Sequence, residues 1–264
     1  MNSAELVKSG QLEAGLALLQ SEIRNHPEDL RSRIFLFQLN CVLGRLEKAL
    51  TQLQVIASLD ADTMLLAQIF RPVIACELFR REVFGGRRSP MIFGEPMAWV
   101  GSLARANELA ARGEFLAAAE LRALALADAP VSTGKVNGEG FAWLADGDAR
   151  LGPLMELFIE GKYYWAPLGR IQKIESEKPR DLRDLVWLPV QLTLANGGSI
   201  PAHIPVRYPG TEESADGLLR LSRKTEWRQQ PGDYYLGLGQ RVFTTDANEY
   251  PLLECRTIEI DPVA

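Results

Sequence analysis

One segment that occurs three times constrains this chain before anything else does. Residues 10–27 read GQLEAGLALLQSEIRNHP, residues 44–61 read GRLEKALTQLQVIASLDA and residues 113–130 read GEFLAAAELRALALADAP, and the three superimpose without gaps. Gly10 and Gly44 stand 34 residues apart, the tetratricopeptide period. Each glycine permits the tight turn between paired helices. The residue two further on (Leu12, Leu46 or Phe115) packs back on the first helix, and the small residue five further on (Gly15, Ala49 or Ala118) lets the helices approach. Pro27 and Pro130 stop the second helix of their pairs. Units of this kind bury their apolar faces only by stacking on neighbours. The third copy starts 69 residues after the second, so other structure replaces a repeat between them. Asp62 is expected to cap a helix through Phe84, with apolar residues at Leu65, Leu66, Ile69, Val73 and Leu78 and a kink at Pro72. Pro96 suits the first turn of another helix, running to about Arg112. Arg80, Arg81, Arg87 and Arg88, around Gly85-Gly86, read as a solvated loop, with a grip on an acidic partner as the alternative.

The periodicity changes at residues 141–153, FAWLADGDARLGP. Beyond it the alternation has a period of two, and strands are expected at 163–168, 170–175, 185–194, 199–207, 234–244 and 252–260. Asn196-Gly197-Gly198 marks a hairpin, because these residues tolerate positive φ. A helix is expected over 151–160 with Gly161 closing it, a second short one over 180–184, and 214–223 as further helix. The expected fold is α+β: an all-α tetratricopeptide-like domain over 1–136, then a small mixed α/β domain over 137–264 with about six mainly antiparallel strands.

Composition and charge narrow the function classes. The 264 residues are 47% hydrophobic and 24% charged, an ordinary soluble balance. The net charge of −5 comes wholly from the second half, which argues against a nucleic-acid surface there. Cys41, Cys76 and Cys255 are odd in number and far apart, and with only two histidines they match no metal spacing, so buried free thiols are expected. Met1 is followed by polar residues rather than a basic and apolar leader, and no apolar run approaches the ~18 residues of a membrane span. A cytoplasmic protein, without cofactor or membrane, is the expectation.

The residues that carry chemistry in other folds have bland settings here. Asp146 and Asp148 flank Gly147, but Ala149, Arg150 and Leu151 supply no further oxygen ligands, so the two carboxylates are expected to cap the next helix or to pair with Arg150 or Arg241. No serine or cysteine sits in a nucleophile elbow. Gly237-Leu-Gly239-Gln-Arg241 lacks the third glycine of a dinucleotide loop, and reads instead as a bulge or a close backbone approach. Arg150, Arg183, Arg207 and Arg241 stand among aromatic and aliphatic residues, where a guanidinium is normally tied to a carboxylate such as Asp146, Asp148, Asp181, Asp184 or Glu156. Trp143, Trp165, Trp187 and Trp227 are suited to half-wet seams or partner surfaces, with the small domain's own core and its contact with the helices as the alternative.

These same strings resemble the ImpE/TagJ family of accessory proteins of bacterial type VI secretion systems. The matching elements are the repeat near Gly113, Trp143-x-x-Asp146-x-Asp148-x-Arg150-Leu-Gly-Pro153, Glu156, Gly161-x-Tyr163-x-Trp165-x-Pro167, Arg183-Asp184-Leu185-x-Trp187-x-Pro189, Ile204-Pro-x-Arg207-Tyr208, Trp227 and Gly239-Gln-Arg241. The resemblance implies a cytoplasmic, non-enzymatic adaptor that binds the amino-terminal amphipathic helix of the small sheath subunit TssB and works indirectly with the ATPase ClpV. It brings no catalytic residues. Expected partner contacts are Trp143, Arg150, Tyr163, Trp165, Arg207, Tyr208 and Arg241, with the repeat groove and the seam beside Trp143 as candidate docking places. The rival reading is an enzyme or small-ligand binder using Asp146, Asp148, Arg150 and Arg241, which requires those four to converge unpaired on a deep pocket.

Overall fold

The computed structural model describes residues 2–60 and 63–262, so the expected cap Asp62 lies outside the described residues. The chain opens with α1 (Ser3–Lys8), α2 (Leu12–Asn25), α3 (Leu30–Val42), α4 (Leu46–Leu59) and the long α5 (Met64–Phe84). A two-residue strand β1 (Met91–Ile92) precedes α6 (Ala98–Ala111) and α7 (Phe115–Asp128). Each repeated segment contributes one turn and the helix after it. Gly10, Gly44 and Gly113 all adopt positive φ (+87°, +68° and +79°) at those turns, the left-handed conformation that glycine reaches without penalty. Gly15, Ala49 and Ala118 are buried where the paired helices touch, and a β-carbon on Gly15 would stand 2.7 Å from Val7 Cγ2. Pro96 lies just outside α6, whose N-cap is Met97. Pro72 falls inside the continuous α5.

The second half is richer in strands than its period-two stretches suggest. In order come β2 (Gly134–Val136), β3 (Glu139–Phe141), β4 (Leu144–Asp146), β5 (Leu154–Ile159), β6 (Lys162–Pro167), β7 (Ile171–Ser176), β8 (Trp187–Leu194) and β9 (Ser199–Pro205). A four-residue helix α8 (Gly217–Arg220) leads to β10 (Thr225–Gln230), β11 (Tyr234–Gly239), β12 (Val242–Thr245), β13 (Glu249–Pro251) and β14 (Thr257–Ile260). Nine strands form one sheet in the order β1-β6-β5-β9-β8-β7-β14-β2-β3, antiparallel except for the parallel β1–β6 edge. β13-β12-β4 and β10-β11 form two smaller sheets. Two strands that precede residue 137, β1 and β2, therefore run in the same sheet as those after it.

The helix expected over 151–160 is instead the strand β5, in which every residue is buried. Leu154, Glu156 and Phe158 face the helices, while Met155, Leu157 and Ile159 face a second core with Phe243, Leu252 and Ile258. A strand covered on both faces reads as a continuous apolar run, which periodicity cannot tell from a buried helix. Glu160 and Gly161, at φ +49° and +74°, form the two-residue turn of the β5–β6 hairpin rather than a helix cap. Residues 180–184 form turns, not a helix, and of 214–223 only α8 is α-helical. The expected strand 234–244 is split into β11 and β12, and 252–260 opens with a 3-10 turn before β14. One hydrophobic core joins α1–α6 to Leu154, Phe158, Tyr163, Trp165 and Trp187 of the sheet.

The tight helix contact at Ala49 gives a direct test of the repeat packing. Ala49→Leu should lower stability by about 1–3 kcal/mol through overpacking, read from the urea midpoint, whereas Lys48→Leu on the exposed neighbouring position should stay within about 0.5 kcal/mol.

Candidate functional site

Glu156 is a carboxylate on the helix-facing side of a wholly buried strand, and its environment organises the junction between the two layers. Arg80 from α5 grips it with a fork, donating from Nε to Oε1 (2.6 Å) and from Nη2 to Oε2 (3.0 Å). Arg241 donates to the same Oε2 from the opposite strand system, and the Tyr163 hydroxyl donates to Oε1. The Trp165 indole N–H in turn donates to the Tyr163 oxygen. Arg80 also reaches Glu77 (3.3 Å) and the Arg207 carbonyl (3.0 Å), and Glu77 accepts the Trp187 indole N–H at 2.8 Å. The fully buried indoles of Trp165 and Trp187 thus each find an acceptor, as most buried N–H groups do.

Arg241 ties this cluster to the β4–β5 turn. It is bridged to Asp146, which also accepts the Tyr208 hydroxyl (3.0 Å) and the Asp148 N–H (2.8 Å). Asp148 is fully buried and forks with Arg150 (2.8 and 2.6 Å), while its Oδ2 also accepts the Gly237 N–H at 2.8 Å. A β-carbon on Gly237 would lie 2.2 Å from the Tyr208 ring, so the glycine pair in this strand serves close backbone approach. Arg207 has a different role. Its guanidinium is bridged to no carboxylate among the described residues and donates to the carbonyls of Val42 (2.6 Å), Arg220 (2.9 Å) and Cys41 (3.4 Å). It therefore caps the C-terminal end of α3, where the helix dipole favours a cation.

Burial alone would raise the Glu156 carboxyl, but the Arg80 and Arg241 guanidinia outweigh it and hold it down at about 2. Asp146 goes the other way: burial, with Asp148 beside it, overcomes Arg241 and pushes it up to about 6. Burial also pushes the thiols of Cys76 and Cys255 up to about 12, and all three cysteines are buried and free, as their apolar settings suggested.

The seven residues expected to touch a partner separate sharply in this structure. Tyr163, Trp165, Arg207, Tyr208 and Arg241 are buried and engaged within the chain, where they join the layers. Arg150 is half-buried against Asp148 and Phe84, and Trp143 alone of the seven is exposed, at 41%. Asp146, Asp148, Arg150 and Arg241 pair off among themselves, so these four leave no unpaired constellation for the rival ligand-binding reading. The expected arginine loop also resolves differently. Arg80 is buried in α5, Arg81 bridges Glu212 at 3.0 Å and Arg87 pairs with Glu82, while Arg88 lies over the Phe79 ring. The spacing Val73-Glu77-Arg80-Phe84, all on the buried face of α5, is the sequence signal that separates Arg80 from its neighbours.

A cleft of about 860 Å³ opens where α5 runs beside β8 and β9. Leu65 and Ile69, 62% and 42% exposed, form its helical lip, one turn apart, and Pro189 and His203 lie on the sheet side. Burial and the nearby Arg183 lower His203 to about 4, so its imidazole is neutral near pH 7. Arg183 stacks over Phe70 at 4.5 Å and is paired with Asp181. No described helix is long and apolar enough to cross a membrane.

Comparison with known proteins follows this geometry closely. The family model for ImpE protein matches residues 138–259, which carry Asp146, Asp148, Glu156, Arg207 and Arg241. A Pseudomonas aeruginosa protein described as type VI secretion system accessory component TagJ is 44% identical over 262 residues, covering 99% of this chain and 92% of its own. The chain belongs to the ImpE family. The crystal structure of protein VPA1032 from Vibrio parahaemolyticus has this fold at a TM-score of 0.90 with 25% identity, over 99% of this chain and 98% of its own. The ImpE match begins after α7, yet Arg80 and Glu77, which complete the Glu156 cluster, come from α5.

The buried network predicts both a stability cost and a pH response. Glu156→Gln should cost about 3–5 kcal/mol, because it removes the counter-charge that two buried guanidinia share and leaves each with one carboxylate. Glu156 is depressed in the fold, so its contribution is complete above its ordinary value of 4.5 and is lost as pH falls toward 2. Asp146 is raised, so the folded state holds its proton more tightly and stability grows as pH falls from about 6 toward its ordinary 3.8. Urea midpoints by near-UV circular dichroism should therefore lose their drop below pH 4.5 in Glu156→Gln, and their gain between pH 6 and 3.8 in Asp146→Asn.

Proposed function

We propose that this chain is a cytoplasmic, non-enzymatic accessory component of a bacterial type VI secretion system that holds the amino-terminal amphipathic helix of the small sheath subunit TssB and thereby works indirectly with ClpV. The observation that carries this reading is the 44% identity to the TagJ accessory component across nearly the whole chain. The stacked helices support it, since repeat arrays of this kind serve to hold peptides and helices. Of the exposed surfaces, the cleft beside α5 fits such a partner best. Leu65 and Ile69 are four residues apart on one helix face and border an apolar trough, to which a second helix could present anchors at i, i+3, i+4 and i+7. Trp143 is the exposed candidate on the seam.

Co-purification tests this reading and places the contact. TssB lacking its first helix should fail to co-purify with this chain, and retention equal to that of intact TssB would refute the proposal. The double variant Leu65→Glu/Ile69→Glu should weaken capture at least tenfold, since burying two unpaired carboxylates costs several kcal/mol. If Trp143→Ala has the larger effect, the partner sits on the seam.

A further inference from the structure

A second cavity, of about 220 Å³, lies between the first turn of α6 and the loops that follow α7, β4 and β6. Its walls are largely apolar and include Pro130, Pro153 and Pro167. Three hydrogen-bonding features at its walls are without partners among the described residues. Trp99 lines the cavity and is only 6% exposed, yet its indole Nε1–H has no acceptor. Arg170 lines it too. Its buried Nε is unpartnered, and no carboxylate among the described residues is bridged to its guanidinium. The Ser132 side chain, 6% exposed, forms part of the wall. The N-cap of α6 is Met97, which also lines the cavity and supplies no capping side chain. Val100 and Gly101 donate to the Met97 carbonyl, and the Trp99 backbone N–H has no acceptor among the described residues.

A buried indole N–H without an acceptor is uncommon and costly. Here it coincides with an uncapped end of a 14-residue helix, where N–H groups and the helix dipole favour an anion, and with a guanidinium lacking a counter-charge, whose fork matches a carboxylate. The volume corresponds to roughly seven water molecules, and its proline-rich walls would hold an apolar body. We propose that this cavity binds a carboxylate carried on a small apolar group, with Arg170 and the α6 N-terminus receiving the carboxylate and Trp99 donating from its indole. The carboxylate can come from a free acid or from the end of a polypeptide. This assignment is independent of the sheath-subunit reading, because it uses neither the α5 cleft nor Trp143.

Titration of the full chain with benzoate, followed by tryptophan fluorescence and by calorimetry, tests the assignment. A second arm uses an acetylated dipeptide ending in phenylalanine, with either a free carboxylate or an amide terminus. Saturable binding with a dissociation constant on the order of a millimolar is expected for a ligand of this size. Arg170→Gln should weaken it roughly tenfold or more, and Trp99→Phe should remove the fluorescence change. Benzamide and the amide-ended dipeptide should bind far more weakly. Binding of benzoate assigns the site to free acids, and binding of the acid-ended dipeptide alone assigns it to a chain terminus. The proposal is overturned if neither carboxylate saturates, if benzamide binds as well as benzoate, or if Arg170→Gln, folded by circular dichroism, binds like the parent chain.

Discussion

The carboxylate of Glu156 is the constraint on which the rest of the arrangement depends. It sits on a strand buried on both faces, where an isolated charge would be untenable, and it is held ionised by Arg80 from the helical layer and Arg241 from the far strands. One side chain therefore requires two distant parts of the chain to be in place at once. Breaking either contact would take from a buried guanidinium one of its two counter-charges, so helices and sheet are expected to separate only on general unfolding. Buried ionic clusters add less to net stability than to the choice of a single arrangement. In this chain the arrangement chosen is the docking angle of α5 on the sheet.

Charge pairing runs through the junction. The carboxylates of Glu77, Asp146, Asp148 and Glu156 pair with the guanidinia of Arg80, Arg150 and Arg241. The position of Arg207 is instructive because it meets carbonyls in place of a carboxylate. The C-terminal half of α3, from Leu36 to Val42, is buried on all sides, and its last carbonyls need donors that water cannot supply. Arg207 provides them from the sheet side. The two layers are thus joined by a helix cap as well as by an ion pair.

This wiring explains why so many family-pattern residues are internal. Tyr163, Trp165, Tyr208 and Arg241 brace one another, and the surfaces left to a partner are bordered by quite ordinary residues such as Leu65, Ile69 and Trp143.

The sequence by itself determined the repeat register, the glycine turns, the small-residue contacts at Gly15, Ala49 and Ala118, the Asn196-Gly197-Gly198 hairpin and the pairing of Asp148 with Arg150. All of these are local: periodicity, positive φ and short-range ion pairing act within a few residues. What only the tertiary structure decided was non-local. Whether 151–160 is helix or strand turned on a second core covering its other face, and whether Arg80 is a surface or a core residue turned on Glu156, 76 residues away. Which aromatic and charged side chains face solvent also depended on how α5 lies across β5 and β6. A buried strand and a buried helix present the same apolar run to a reader of one chain, and only the opposing layer distinguishes them.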